Sequence, residues 1–140
     1  MNKELREKEL LEAALKVFIE KGYKGTTTSE IAKVANISEV TLFRYFRNKE
    51  EIFMLSVQPV MQESMRMLKL DAKHEQFKES LRKALIDRVQ YINKHHQVIK
   101  LILNEQMLLE TYANVIDEMV KSLQDVLFSY GLKEKIETGV

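Results

Sequence analysis

The stretch 26–49, TTTSEIAKVANISEVTLFRYFRNK, constrains the fold of this chain more than any other feature of the sequence. Thr27 and Glu30 have the T-x-x-E spacing of a capping box, in which each side chain accepts a hydrogen bond from the other residue's backbone N–H. This spacing predicts a helix that begins at Thr28. Its apolar face is small and includes two alanines, which let another helix approach closely: Ile31, Ala32 and Ala35.

The second half of this stretch predicts a tight turn and another short helix. Asn36 lies where the turn requires a left-handed backbone, which Asn adopts more readily than most residues. Ser38 is placed to cap a helix over residues 39–46. Leu42 and Phe46 lie four residues apart on the buried side, so the other side stays exposed. A helix of about two turns fits the major groove of B-DNA, which is about 12 Å wide.

Apolar side chains at helical spacing predict five further helices, about seven in total. We therefore expect an all-α fold. Pro59 lies inside one of these helices and is expected to kink or divide it. The predicted helices are one that ends at Gly22, one from Lys49 towards Lys69, one that ends near Lys94, one over Gln97–Leu109 and one over Thr111–Tyr130, stopped by Gly131.

The predicted helix over 97–109 is apolar on nearly all sides and is expected to be the most buried of the seven. Three consecutive polar residues, 104–106, interrupt it. A buried polar group needs a hydrogen-bond partner, which could be a neighbouring helix, solvent or a ligand.

Composition narrows the class of protein. The formal net charge is only +1, so any affinity for DNA must come from locally placed charges. The chain has no Cys, which excludes disulfides and thiolate metal sites and fits the cytoplasm. No apolar run approaches the roughly 20 residues of a membrane span, and the N-terminus lacks a signal-peptide pattern.

Patterns that would indicate catalysis or metal binding are missing from the sequence. There is no Gly-rich phosphate loop, no Cys nucleophile and no convincing His–carboxylate spacing. His95 and His96 are adjacent, whereas a helical metal-binding pair needs a spacing of four residues. We therefore expect no enzymatic activity, no metal and no cofactor.

Several short motifs occur together across about residues 10–51: G-Y-x-G-T-T at 22–27, I-A at 31–32, A-N-I-S at 35–38, T-L-F-R-Y-F at 41–46 and K-E at 49–50. This combination resembles the DNA-binding segment of TetR/AcrR-type transcriptional regulators. The resemblance implies a helix-turn-helix DNA-binding domain over residues 1–47. A helical, effector-binding regulatory domain would follow over residues 48–140. Beyond the motifs, the chain resembles the family only in being helical.

The resemblance implies that the N-terminal end of the second short helix contacts base edges. Thr41 can hydrogen-bond a base and touch the thymine methyl group, whereas Val40 offers only apolar contact. Glu39 either accepts a hydrogen bond from a cytosine amino group or simply suits the helix N-terminus. Phe43 departs from the family, which usually has Tyr here, so a hydroxyl contact to phosphate is lost, although packing on a sugar or thymine remains open.

Other residues of the stretch are candidates for backbone contacts. Arg44 is the best single candidate for a guanine or phosphate contact, and the alternative is a solvated surface arginine. Tyr45 and Lys49 fit phosphate contacts, the latter at a helix N-terminus. Thr28 and Ser29 match family positions that touch the DNA backbone.

The function that follows from the resemblance is a sequence-specific transcriptional repressor, released from its operator DNA by a small-molecule effector. The alternative is a DNA-binding protein controlled by a protein partner. A homodimer on two half-sites is expected, because one such head makes few base contacts. In the family two C-terminal helices form the dimer, and we expect this chain to lack them.

Overall fold

The computed structural model describes residues 2–67 and 77–129, and all regular secondary structure in these ranges is helical. Seven helices occur there, which confirms the predicted all-α class. None of them combines the length and apolar character that a bilayer span requires. Their bounds are α1 Lys3–Gly25, α2 Thr28–Val34, α3 Glu39–Tyr45, α4 Lys49–Arg66, α5 Phe77–Lys94, α6 His96–Asn104 and α7 Gln106–Ser129.

The packing of α1 against α4 forms the centre of the core. The rings of Phe18 on α1 and Phe53 on α4 meet edge to face, with their centroids 4.9 Å apart. The ring of Tyr23 lies 5.0 Å from that of Phe53. Buried side chains of four other helices join the same cluster: Ile31, Ala32, Leu42, Val98, Leu101, Ile102 and Leu108. Because α4 packs on both α1 and α6, it connects the first three helices to the rest of the fold.

The turn between α2 and α3 has the geometry that the sequence predicts. Thr27 Oγ1 accepts a hydrogen bond from the Glu30 N–H (3.2 Å), and the Glu30 carboxylate accepts one from the Thr27 N–H (3.0 Å), so the capping box is confirmed. Asn36 has a φ of 55°, the predicted left-handed conformation. Ser38 Oγ accepts from the Thr41 N–H at 3.1 Å and caps α3.

Two predicted helix breaks have different outcomes. Gly22 interrupts regular helix where predicted, with φ 74° and ψ 171°, although α1 resumes as far as Gly25. This backbone conformation is accessible essentially only to glycine. Pro59, in contrast, does not divide α4, which continues over Lys49–Arg66. Pro59 is exposed on α4 and has no backbone N–H to donate within the helix.

The prediction of a single helix over residues 97–109 is wrong. Glu105 has an extended backbone, with φ −105° and ψ 105°, and separates α6 from α7. Its N–H donates to the Ile102 carbonyl at 3.2 Å, and its carbonyl accepts from the Leu108 N–H at 3.0 Å. Glu105 therefore ends one helix and begins the next, and α7 starts earlier than the predicted Thr111.

The remaining helix predictions concern burial and ends. The helix predicted to be the most buried is buried on one side only, because α6 buries Val98, Leu101 and Ile102 but leaves Leu103 62% exposed. The predicted end of the fifth helix at Lys94 is confirmed. The predicted continuation of α4 towards Lys69, and the helix end at Tyr130 and Gly131, lie outside the described residues.

Candidate nucleic-acid interface

Helix α3 has one anchored side and one exposed side. Leu42 is fully buried, and Phe46, the residue that caps the C-terminus of α3, is nearly so. On the opposite side Val40 is 69% exposed and Phe43 is 45% exposed. Two apolar side chains therefore face outwards from a helix of seven residues whose position is fixed by the core.

The hydroxyl of Thr41 takes part in the cap of α3. Its Oγ1 lies 2.8 Å from Ser38 Oγ, which also accepts the Thr41 N–H. A hydroxyl has one donor and two acceptor positions, so this contact leaves hydrogen-bonding capacity for another partner. The bond to Ser38 holds the Thr41 hydroxyl in one orientation. Because Thr41 is only half-buried, its hydroxyl can still reach a partner outside the protein.

Two of the predicted site residues contact each other across the start of both short helices. Thr28 Oγ1, at the first residue of α2, donates to the Glu39 carboxylate at the first residue of α3 over 3.0 Å. A carboxylate also suits the positive end of a helix. The structure therefore gives Glu39 a role that the sequence did not reveal, that of joining the N-termini of α2 and α3.

Ser29 is exposed beside an open depression between α2 and α3. This depression has a volume of about 500 Å³. The cap of α3 and the turn of the motif line it together with α2: Ser29, Ala32, Lys33, Asn36, Ile37, Ser38 and Glu39. Small and polar side chains predominate there, so a polar surface can approach the backbone of the turn.

The C-terminal half of α3 carries the predicted arginine and tyrosine. Arg44 is exposed in the last turn, where a cation suits the helix dipole, and no salt bridge joins it to a residue in the described part of the chain. Tyr45 is half-buried, with its ring centroid 6.3 Å from that of Phe46. Arg44 is therefore available to a ligand, whereas part of the Tyr45 ring packs on the protein.

Lys49 contacts the protein in a way that the sequence did not predict. Its Nζ donates to the backbone carbonyls of Tyr23 (2.9 Å) and Thr26 (3.1 Å). The same atom lies 4.3 Å from the centroid of the Tyr23 ring. The ammonium group therefore occupies the corner where α1 ends and α2 begins. This contact could not be read from the sequence, because the carbonyls are oriented by the backbone break at Gly22.

A salt bridge joins α1 to α2 near the same corner. Lys21 Nζ donates to the Glu30 carboxylate, which also closes the capping box. The hydrogen bond from Lys21 lowers the pKa of Glu30, and the Thr27 backbone N–H lowers that pKa further. The hydrogen bond to Glu30 in turn raises the pKa of Lys21. Burial raises the pKa of the neighbouring Tyr23 hydroxyl. Charge near the corner is thus arranged to hold α2 on α1.

Helix α5 bonds to the C-terminal half of α4, away from the recognition motif, which is the segment formed by α2, the turn after it and α3. The Arg88 guanidinium donates to the Ser64 carbonyl at 3.3 Å, and burial lowers the pKa of Arg88. The Tyr91 hydroxyl donates to the Val60 carbonyl at 3.5 Å. In the described ranges no cluster of three or more potential metal ligands occurs, and His96 Nδ1 lies 2.9 Å from the backbone carbonyl of Asn93.

Comparison with known proteins identifies the recognition motif. A family described as "Bacterial regulatory proteins, tetR family" matches residues 10–54. The HTH-type transcriptional regulator YhgD of Bacillus subtilis (strain 168) is 34% identical over 138 residues, which are 96% of this chain and 69% of that protein. The biofilm operon icaADBC HTH-type negative transcriptional regulator IcaR of Staphylococcus epidermidis is 43% identical over 49 residues, 35% of this chain and 26% of that protein.

The fold is also similar to that of solved structures. The crystal structure of a TetR-like transcriptional regulator from Rhodococcus sp. RHA1 superposes with a TM-score of 0.76 at 25% sequence identity. The superposition covers 92% of this chain and 73% of that one. The likeness therefore extends well beyond the recognition motif into α4–α7.

Proposed function

This chain belongs to the TetR family of bacterial transcriptional regulators, and on that premise we propose that α3 binds operator DNA and that the protein represses transcription until a small-molecule effector releases it. One observation carries the proposal. The core fixes α3 through Leu42 and Phe46, yet the helix exposes Val40 and Phe43. Apolar side chains held outwards on a rigid two-turn helix are suited to contact with base edges and sugars in a groove.

Each side chain of the interface receives a role from its position. Glu39, Val40 and Thr41 face the base edges at the N-terminal end of α3, and the exposed Phe43 ring packs on a sugar or on thymine. Arg44 contacts guanine or phosphate. The remaining contacts go to phosphates, from Thr28, Ser29 and Tyr45, and the Thr28 hydroxyl must give up its bond to Glu39 to donate to a phosphate. For Lys49 a phosphate contact would compete with the two carbonyl bonds that its ammonium already makes.

We place the DNA-binding domain at residues 1–47 and the regulatory domain at 48–140, with Asn48 as the N-cap of α4 at the boundary. Two copies would bind as a homodimer, with one α3 in each of two half-sites, and the half-sites would lie about one turn of the DNA helix or more apart. Release requires that the effector bind more tightly to the dimer arrangement in which the two α3 helices cannot fit both half-sites. The Phe18–Phe53 contact supports this route, because it couples any displacement of α4 to α1.

Repression is supported by one relative. IcaR is a negative transcriptional regulator, and its similarity to this chain lies over 49 residues. Steric exclusion of the transcription machinery from an occupied operator needs nothing beyond DNA binding. Repression is therefore the simplest use of this interface.

A second candidate is release by a protein partner instead of a small molecule. Helix α5 favours it, because four apolar side chains on it are exposed: Leu85, Ile86, Val89 and Ile92. Exposed apolar rows of this kind are typical of protein interfaces. If a small molecule is the effector, a protein-free extract of the cell should release the protein from DNA. If a protein partner is the effector, only the macromolecular fraction should release it, and Val89→Glu should abolish that release.

The test of DNA reading is a binding titration. The purified chain is titrated with duplex DNA from upstream of its own gene, and with an unrelated duplex of equal length, at several salt concentrations. We expect selective, salt-sensitive binding, and Arg44→Ala should cost about 1–3 kcal/mol. Arg82→Ala removes the same charge from exposed α5 and should leave affinity unchanged. Equal affinity of the folded dimer for both duplexes would contradict the proposal.

A further inference from the structure

Three helices meet at the corner that Lys49 occupies. The break at Gly22 turns the end of α1, and the buried Thr26 side chain stabilises that turn by donating to the Gly22 carbonyl at 2.7 Å. Thr26 is followed directly by Thr27, the N-cap of α2. Lys49 is the first residue of α4, and its ammonium bonds the carbonyls on both sides of the turn. The end of α1, the start of α2 and the start of α4 are thus joined through one side chain.

The chemistry of this contact favours an internal role for the ammonium group. Lys has three donors, of which two are used by carbonyls, and the Tyr23 ring covers the cation at 4.3 Å. A cation at the C-terminus of α1 also interacts favourably with the dipole of that helix. At the N-terminus of α4 the same charge is unfavourable, and Glu50 and Glu51 offset it there. Lys49 is therefore placed to stabilise α1 and its junction, not the helix that carries it.

We infer that Lys49 is a positioning residue for DNA reading, which sets the orientation of α2 and α3 relative to α4 and does not bind phosphate. The inference rests on the proposed function. A series of bonds connects Lys49 to the recognition helix. The Thr26 carbonyl leads to the capping box of α2 at Thr27, and Thr28 at the next residue bonds Glu39 of α3. Displacement of the first turn of α4 would therefore reach α3 without any contact between α4 and DNA.

The salt dependence of binding separates a positioning role from a phosphate contact. Each phosphate contact that is lost lowers the slope of log affinity against log salt by about one. Lys49→Met and Lys49→Gln both remove the charge, but only Gln retains N–H donors for the carbonyls. We expect Lys49→Met to weaken selective binding about tenfold at unchanged slope, and Lys49→Gln to weaken it less. A slope lowered by about one in both variants would overturn the inference.

Two controls make the result specific. Arg44→Ala, in the proposed interface, should lower affinity, and it should lower the slope where the lost contact is to phosphate, which shows that the assay detects a lost DNA contact. Tyr91→Phe removes one hydrogen bond from the other end of α4 and should leave affinity unchanged at temperatures well below melting. Equal affinity losses in Tyr91→Phe and Lys49→Met would indicate general destabilisation, and would also overturn the inference.

A measurement without DNA keeps the inference testable if the proposed function fails. In hydrogen–deuterium exchange, the amides of residues 26–30 should exchange faster in Lys49→Met than in the wild type, with no change around residues 96–104. Unchanged exchange at 26–30 would show that Lys49 does not hold the corner. Absence of selective DNA binding by the wild type, together with faster exchange in Lys49→Met, would refute operator reading but leave the structural role of Lys49 standing.

Discussion

Helices α2, α3 and α4 differ from α6 in how their N-terminal ends are determined. The N-cap side chains of α2, α3 and α4 all accept a backbone N–H: Thr27, Ser38 and Asn48. The N-cap of α6, His95, makes no such bond. Local side-chain chemistry therefore specifies where the first helices start, whereas the start of α6 depends on the contacts of its neighbours.

The first three helices and α5 differ in what their apolar side chains do. In α1, α2 and α3 most apolar side chains enter one core, and the exposed ones on α3 lie on the side opposite that core. In α5 apolar side chains such as Leu85 and Val89 are exposed along the helix. The buried side chains of α2 and α3 thus belong to the same core cluster as those of α1 and α4. The exposed apolar side chains of α5 do not enter this core.

Core truncation should show the largest difference between the two regions. Leu42→Ala removes a fully buried side chain from the anchor of α3, and we expect the free energy of unfolding to fall by about 2–5 kcal/mol. Leu85→Ala makes the same chemical change on α5, where the side chain is 55% exposed, and should cost within about 0.5 kcal/mol. Urea denaturation measures both. Equal losses would mean that Leu85 is buried in an assembly, and would remove the contrast.

A smaller effect is expected at the helix caps. Asn48 Oδ1 accepts the Glu51 N–H at 2.8 Å, so Asn48→Ala should lower the free energy of unfolding by about 1 kcal/mol. His95→Ala should cost less, because no cap bond is lost, although its ring contacts Tyr91 at 4.4 Å between centroids. Thermal unfolding of the two variants ranks them. A larger loss in His95→Ala would show that α6 depends more on its start than the cap geometry indicates.

How far the sequence predicts the structure follows the same division. The capping box at Thr27, the left-handed Asn36 and the cap at Ser38 are confirmed, because each depends on side chains within three residues. The prediction missed the break at Glu105, although the polar run 104–106 marks its position, because apolar residues lie at helical spacing on both sides of that run. Long-range contacts are not visible in local spacing.

For the interface, the sequence predicts which side chains α3 exposes but not what they touch inside the protein. Val40, Phe43 and Arg44 are exposed as expected from the buried Leu42. The bonds of Thr28 to Glu39, and of Lys49 to two carbonyls, join residues 11 and more than 20 positions apart. These contacts depend on the angle between helices, which no spacing rule supplies. The DNA contacts themselves remain predictions.

The smallest expected effect is a pH dependence of stability that arises from the salt bridge between α1 and α2. The hydrogen bond from Lys21 lowers the pKa of Glu30 in the folded chain below its ordinary value. A carboxylate with a lowered folded pKa stabilises the fold at pH values above its unfolded pKa, and this stabilisation is lost as the pH falls through the folded pKa. Glu30→Gln keeps an acceptor for the capping box but removes the charge. The melting temperature of the wild type should therefore exceed that of Glu30→Gln near pH 7, by a small margin because the pair is solvent-exposed, and the difference should vanish as the pH falls through the lowered pKa of Glu30. A difference that stays constant over this range would mean that Glu30 acts only through its hydrogen bonds, and that the salt bridge to α1 contributes nothing measurable.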